Sequence, residues 1–200
     1  MPLTFKSEEV EFWKKYPYDV GKLHFPSDEG KHDFKREWWY INLHLTNLSS
    51  GKRYDVMVSY FPKQKDAPVP MRFFMITDEE KEQYIPSRKV DFGQLNISDK
   101  KHDLRFRKWL RRDHWFQVPK YAFQYVLRVN HARTGIDVVM CSQKPPLPIN
   151  GTGQVKIGSD GSSYYYSLTR LHVAGLLIIN GKRIPVVGIG WVDHQFGNYD

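Results

Sequence analysis

The residues best placed to do chemistry lie near the end of the chain. In Val187-Gly188-Ile189-Gly190-Trp191-Val192-Asp193-His194-Gln195-Phe196-Gly197, strand alternation puts Val187, Ile189, Trp191 and Asp193 on one face. A carboxyl group thus sits among apolar neighbours. If that face lines a barrel interior, desolvation raises the Asp193 pKa and preserves the proton that a general acid donates. The plainer alternative is an Asp at a strand end, exposed or bonded to backbone amides of the following turn. Tyr164-Tyr165-Tyr166 poses a similar choice, with Tyr164 and Tyr166 on one face and Tyr165 on the other. Strand tyrosines ordinarily pack with their hydroxyls at the rim. Set beside Trp38, Tyr40 and Trp191, they could instead line an aromatic pocket whose ring faces stabilise a developing carbocation.

Other ready-made chemistry is missing. There is no Gly-x-x-x-x-Gly-Lys-Ser/Thr, no Gly-x-Ser-x-Gly and no His-Glu-x-x-His, and Gly188-Ile189-Gly190 lacks the third glycine of a dinucleotide loop. The eight histidines (24, 32, 44, 102, 114, 131, 172 and 194) show no ligand spacing, so neither a metal nor a cofactor is expected. Arg105-Phe106-Arg107-Lys108-Trp109-Leu110-Arg111-Arg112 interleaves cations with aromatics, as a phosphate-tracking surface would. No nucleic-acid motif accompanies it, so it reads as a solvated strand and loop with Phe106 and Trp109 packed inward, and no nucleic-acid partner is expected.

The elements that must position these residues are strands. Arg36–Thr46 alternates Trp39, Ile41, Leu43 and Leu45 against Trp38, Tyr40, Asn42 and His44. After the turn signal at 47–51, Arg53–Phe61 alternates again and completes a hairpin. Further strands are expected at Met71–Thr77, Lys89–Ile97, Tyr121–Asn130, Ile136–Ser142, Tyr164–Leu171, His172–Ile179 and Arg183–Asp193, with a tight turn at Asn180-Gly181. A short helix over Ser7–Lys15, ended by Pro17, opens an irregular entry segment reaching residue 35. Short strands with no helical run between them indicate an all-β chain, an antiparallel barrel or sandwich spanning 36–200.

Composition agrees. The 200 residues are 40% hydrophobic, 26% charged and 15% aromatic, which excludes a disordered or fibrous chain and favours strands. No stretch approaches the roughly 18 apolar residues of a membrane-spanning helix, Val173 to Ile179 being the nearest. The start, Met1 to Val20, shows no apolar core of a signal peptide. A net charge of +8 suits anionic ligands or a peripheral contact with an acidic membrane surface. The lone Cys141 cannot close an intramolecular disulfide.

Four blocks in order carry a family resemblance: Phe25-Pro26-Ser27-Asp28-Glu29-Gly30-Lys31-His32, Glu37-Trp38-Trp39-Tyr40, Ser163-Tyr164-Tyr165-Tyr166-Ser167-Leu168-Thr169-Arg170-Leu171, and Gly190-Trp191-Val192-Asp193-His194-Gln195-Phe196-Gly197. Together they resemble the signatures of the hydroxyneurosporene synthase (carotenoid 1,2-hydratase), or AttH-like, family. The resemblance implies a lipocalin-like β-barrel, followed past Asp200 by a second one, with ligand held in the calyx or between the two. It also implies an acid that protonates a terminal isoprenoid double bond before water captures the cation. Asp193 matches that acid, and Trp191 an aromatic close to it. Tyr164 and Tyr166 fall on a pocket strand where carotenoid hydratases carry His and Trp, which argues against a carotenoid substrate.

The expectation is therefore a hydratase/lyase-like or isomerase/cyclase-like domain that binds an apolar isoprenoid- or polyketide-like molecule. Asp193, Trp191 and Tyr166 are the catalytic candidates. Trp38, Tyr40, Tyr164 and His194 are the ligand-binding ones. The alternative is a carrier that uses the same pocket without proton transfer.

Overall fold

The computed structural model describes residues 11–64, 67–85, 90–159 and 161–199. It is built from antiparallel strands. A small hairpin pairs β1 (Tyr18–Val20) with β2 (Leu23–Phe25). The main sheet comprises β3 (Arg36–Asn47), β4 (Arg53–Phe61), β5 (Met71–Asp78), β6 (Gln83–Ile85), β7 (Val90–Phe92), β8 (Gln94–Ile97), β9 (Asp103–Lys108), β10 (Arg111–Gln117), β11 (Gln124–His131), β12 (Thr134–Ser142), β13 (Leu147–Pro148), β14 (Gln154–Ile157), β15 (Gly161–Ile179) and β16 (Lys182–Asn198). Its order is β6-β5-β4-β3-β16-β15-β12-β11-β10-β9-β8. The sheet curls into the expected lipocalin-like form.

Gly93 explains how the two edges approach each other. The strand expected as one piece up to Ile97 breaks there, so that β7 pairs with β5 while β8 pairs with β9. A Cβ at Gly93 would lie 2.5 Å from the Arg107 carbonyl oxygen and 2.7 Å from the Phe106 ring, so only glycine lets the chain turn this corner. Lys89 lies outside the described residues.

The inside of the curl is filled with side chains. Trp39, Ile41 and Leu43 from β3, Val56, Val58 and Tyr60 from β4, and Phe74, Trp115 and Leu127 from other walls are all buried. Arg72 is buried among them, donating to Asp113 at 2.8 Å and to Asp91, while Tyr60 donates to Asp113 at 3.0 Å. A buried cation needs such partners, because desolvating it unpaired costs several kcal/mol. The calyx, one of the two places where ligand was expected, is lined and filled in this region by these buried side chains.

The entry segment closes one end. Trp13, Leu23 and Phe25 join the core, and Phe25 meets Phe123 and Tyr166 edge-on at 5.2 and 4.9 Å. The helix expected from Ser7 falls up to residue 10 outside the described residues. Beyond it the chain makes a single 3-10 turn at Phe12–Lys14 and then the β1–β2 hairpin, where a helix end and irregular chain were expected.

Two further expectations are corrected. The basic stretch is a hairpin, β9 and β10, with Leu104, Phe106 and Trp115 inward, while Trp109 is 89% exposed at its tip. Tyr164–Leu171 and His172–Ile179 are one strand interrupted by a bulge. Leu168 faces Val192 and Leu171 faces Gly190, leaving two β15 residues opposite Trp191. The extra residue reverses the alternation, which is why Tyr164, Tyr166 and Leu168 face the core before it and Leu171, Val173 and Leu177 after it.

Candidate active site

β16 presents two different faces. Val186, Val192, His194 and Phe196 point into the core, and the opposite side carries Trp191, Asp193 and Gln195. Register then assembles the neighbours of Asp193. On β3, Tyr40 lies opposite Asp193 and Trp38 opposite Gln195. On β15, Ser167 lies opposite Asp193 and Tyr165 opposite Gln195. The band continues through Ser59 and Met57 on β4 to Phe73 and Met75 on β5. A half-buried aromatic and thioether strip thus runs along the outer side of the sheet, with a carboxyl group set in it.

Asp193 is only 8% exposed although it is on the outer side. Neither reading open at the sequence level describes it: the residue is outside the barrel interior, and it is shielded by neighbouring side chains. The Ser167 hydroxyl donates to its Oδ1, and Tyr165 is also hydrogen-bonded to it. Burial, the negative charge of Asp193 and that hydrogen bond push the Tyr165 hydroxyl up to about 12. Burial and the same carboxylate raise Tyr40 as well. Trp38 meets the Tyr165 ring edge-on at 5.7 Å, and Gln195 Nε2 donates to Ser163 Oγ at 2.9 Å. The site therefore offers the Asp193 carboxyl group, the hydroxyls of Ser167, Tyr165, Tyr40 and Ser163, and the indole rings of Trp38 and Trp191.

The sheet divides the expected site residues into two sets. Asp193, Trp191, Trp38 and Tyr40 come together on the outer side. Tyr166, Tyr164 and His194 lie on the core side, where β15 pairs Tyr164 with Phe196 and Tyr166 with His194. Tyr166 is 2% exposed and packs edge-on against His194 at 5.5 Å, while Tyr164 stacks on Phe196 at 5.4 Å. Sequence reasoning missed Tyr165 and Ser167, the hydroxyls that touch Asp193. Their parity was visible, but the register of β15 on β16 that selects them was not.

Two groups of side chains could hold a metal ion among the described residues. One is His32, Glu37 and His194; the other is the more exposed His44, Asp55 and Glu79. Both join residues too far apart in sequence for ligand spacing to show.

A family model described as AttH-like matches residues 17–199. Among solved structures, an AttH protein from Nitrosomonas europaea superposes with a TM-score of 0.69 and 20% identity, covering 90% of this chain and 57% of that one. Kievitone hydratase from Nectria haematococca superposes with a TM-score of 0.66 and 13% identity, covering 93% of this chain and 56% of that one. At such identities the likeness is one of fold, and this chain spans a little over half the length of each. No curated protein sequence matches the chain.

Proposed function

The chain belongs to the AttH-like family, and from that premise we propose that it is a hydratase-like enzyme domain in which Asp193 protonates a carbon–carbon double bond of an apolar, isoprenoid-type ligand. The observation that carries the reading is the shielded Asp193 carboxyl group in the strip of Trp38, Tyr40, Tyr165 and Trp191. A ligand laid on this strip would bury its apolar body against the rings and bring a double bond to the carboxyl group. Proton transfer to one alkene carbon leaves a cation on the other. Ring faces lower the energy of that cation, and water adds to it and returns a proton. Likeness to a solved hydratase supports the reaction class.

A carrier function is the second reading. The same hydroxyls that surround Asp193 could grip the polar end of an apolar molecule with no proton transfer.

The test is turnover in deuterated water of kievitone and of other compounds with terminal isoprenoid double bonds. The wild-type protein should add water and place one solvent deuterium on the alkene carbon. Asp193→Asn should retain binding and lose at least about 100-fold in rate, the scale of general acid catalysis. Wild-type turnover by the Asn variant would eliminate Asp193 as the acid, and tight binding without turnover in the wild type would leave the carrier.

A further inference from the structure

His32, Glu37 and His194 converge behind the proposed active site, on the core side of the sheet. His32 Nδ1 lies 2.9 Å from Glu37 Oε1, and His194 Nε2 lies 3.1 Å from the same oxygen. The far nitrogen of each ring is engaged by one residue. His194 Nδ1 is 3.0 Å from the Asp28 backbone oxygen, and His32 Nε2 is 3.3 Å from Asp28 Oδ1.

Those contacts determine where the hydrogens are. A backbone carbonyl only accepts, so His194 Nδ1 carries a hydrogen, and in the neutral ring Nε2 is a bare lone pair. That lone pair faces a carboxylate oxygen, an arrangement of two acceptors that is repulsive unless a cation lies between them. His32 differs in lying between two carboxylates, Asp28 Oδ1 at its outer nitrogen and Glu37 Oε1 at its inner one, so the inner contact again calls for a cation, a ring proton or a metal ion. Metal-ligating histidines are oriented in this way by an acceptor on the far nitrogen.

We propose that His32 Nδ1, His194 Nε2 and Glu37 Oε1 bind one divalent transition-metal ion, of which zinc suits two imidazoles and a carboxylate best. Tetrahedral zinc with bonds near 2.1 Å sets its ligand atoms about 3.4 Å apart, so the two nitrogen–oxygen spacings of 2.9 and 3.1 Å need open by about 0.3–0.5 Å, and all three ligand atoms already lie within 4.8 Å of one another. The Glu37 carboxyl group is already aimed, since the His32 backbone N–H donates to both its oxygens at 3.2 Å. His32, 16% exposed at its side chain, marks the side from which an ion and a water ligand can enter. His194 and Glu37 directly adjoin Asp193 and Trp38 in sequence. A bound ion would therefore tie the entry segment to β3 and β16 beneath the outer strip.

The test uses the whole chain, free of any histidine tag and stripped with chelator, and titrated with zinc by calorimetry. One ion per chain should bind with micromolar or tighter affinity and raise the melting temperature. His32→Ala and Glu37→Gln should each weaken binding at least about 100-fold, Asp28→Asn about tenfold, and His44→Ala should have no effect. Because a variant may fail to fold, cobalt(II) added to the wild-type protein gives a second readout, the intense visible bands of a four-coordinate ion. Absence of stoichiometric binding, binding that survives His32→Ala, loss of binding in His44→Ala, or a six-coordinate, solvent-like cobalt spectrum would each overturn the proposal.

Discussion

Asp193 and His194 are consecutive residues whose side chains serve opposite faces of one sheet. The carboxyl group of Asp193 meets Ser167 on the outer side, and the ring of His194, fully buried, stacks 4.3 Å from Trp39 on the inner side. A strand makes this division unavoidable. Two sites of different character can therefore share one stretch of backbone, and substitutions on adjacent tyrosines of β15 should separate them.

Tyr165→Phe removes a hydroxyl bonded to Asp193 and little packing, whereas Tyr166→Ala empties a buried place against Phe25 and His194. The first should change turnover or ligand affinity about tenfold or more with stability nearly unchanged. The second should cost about 3–5 kcal/mol, as for other large-to-small core substitutions. Urea unfolding and a binding assay on both variants check this. Equal loss of stability in the two would show that Tyr165 is a packing residue.

Much of the fold was legible because period-two alternation is strong in β3, β4, β5 and β12, whose core faces are apolar through their middles, with polar residues such as Arg72, Asp78, Thr134 and Ser142 toward their ends. Three features escaped it for distinct reasons. Gly93 divides one expected strand by a steric corner that no pattern announces. The β15 bulge reverses parity without a turn residue. The β9–β10 hairpin turns on Trp109-Leu110, neither of which signals a turn, so its cations drew attention from the alternation of Leu104 and Phe106. In the site, Asp193 and Trp191 were visible as a pair. The choice among tyrosines depended on inter-strand register, which is a tertiary property.

Glu29 predicts a pH dependence. It is fully buried, and burial, opposed by hydrogen bonds from Tyr125 and Tyr16, raises its carboxyl group from 4.5 to about 7. Tyr166 also faces it, and His102 Nδ1 lies 3.3 Å from its backbone oxygen. The unfolded chain releases this proton near 4.5 and the folded one near 7, so the stabilisation is complete below 4.5 and is lost as pH rises to about 7. The swing is on the order of 3 kcal/mol. His102, held neutral by burial to about 3, works the other way below 6.5. The informative quantity is therefore the difference between Glu29→Gln and wild type at each pH. Glu29→Gln should be relatively more stable at pH 8 than at pH 5, and a pH-independent difference would remove Glu29 as the cause.

Arg72 makes a third prediction. It is wholly buried between Asp113 and Asp91, and Lys108 and Arg111 add donors to Asp91 at 3.0 and 2.7 Å. Burial is the largest single influence on Asp91 and pushes it up, but the hydrogen bonds and charges of Lys108, Arg72 and Arg111 together outweigh it and bring Asp91 down to about 2. Arg72→Met leaves two buried carboxylates without their shared cation and should cost about 3–5 kcal/mol. Arg72→Met combined with Asp113→Leu should recover part of that loss, because the stranded charge goes with its partner. A double variant as unstable as the sum of the singles would show that Arg72 acts through packing alone.

The hairpin tip tests the correction made to the basic stretch. Phe106 is 1% exposed and Trp109 is 89% exposed, so the two aromatics that were expected to pack together inward have opposite roles. Trp109 also has φ +54°, a left-handed conformation that suits glycine and strains a bulky residue. Trp109→Gly relieves that strain and gives up little packing, while making the unfolded chain more flexible. The balance should leave stability unchanged or raise it by up to about 1 kcal/mol. Phe106→Ala, by contrast, should lose about 3–5 kcal/mol. Thermal unfolding of the two variants under one condition decides the matter: a loss above about 1 kcal/mol for Trp109→Gly would mean that the indole is held against the barrel after all.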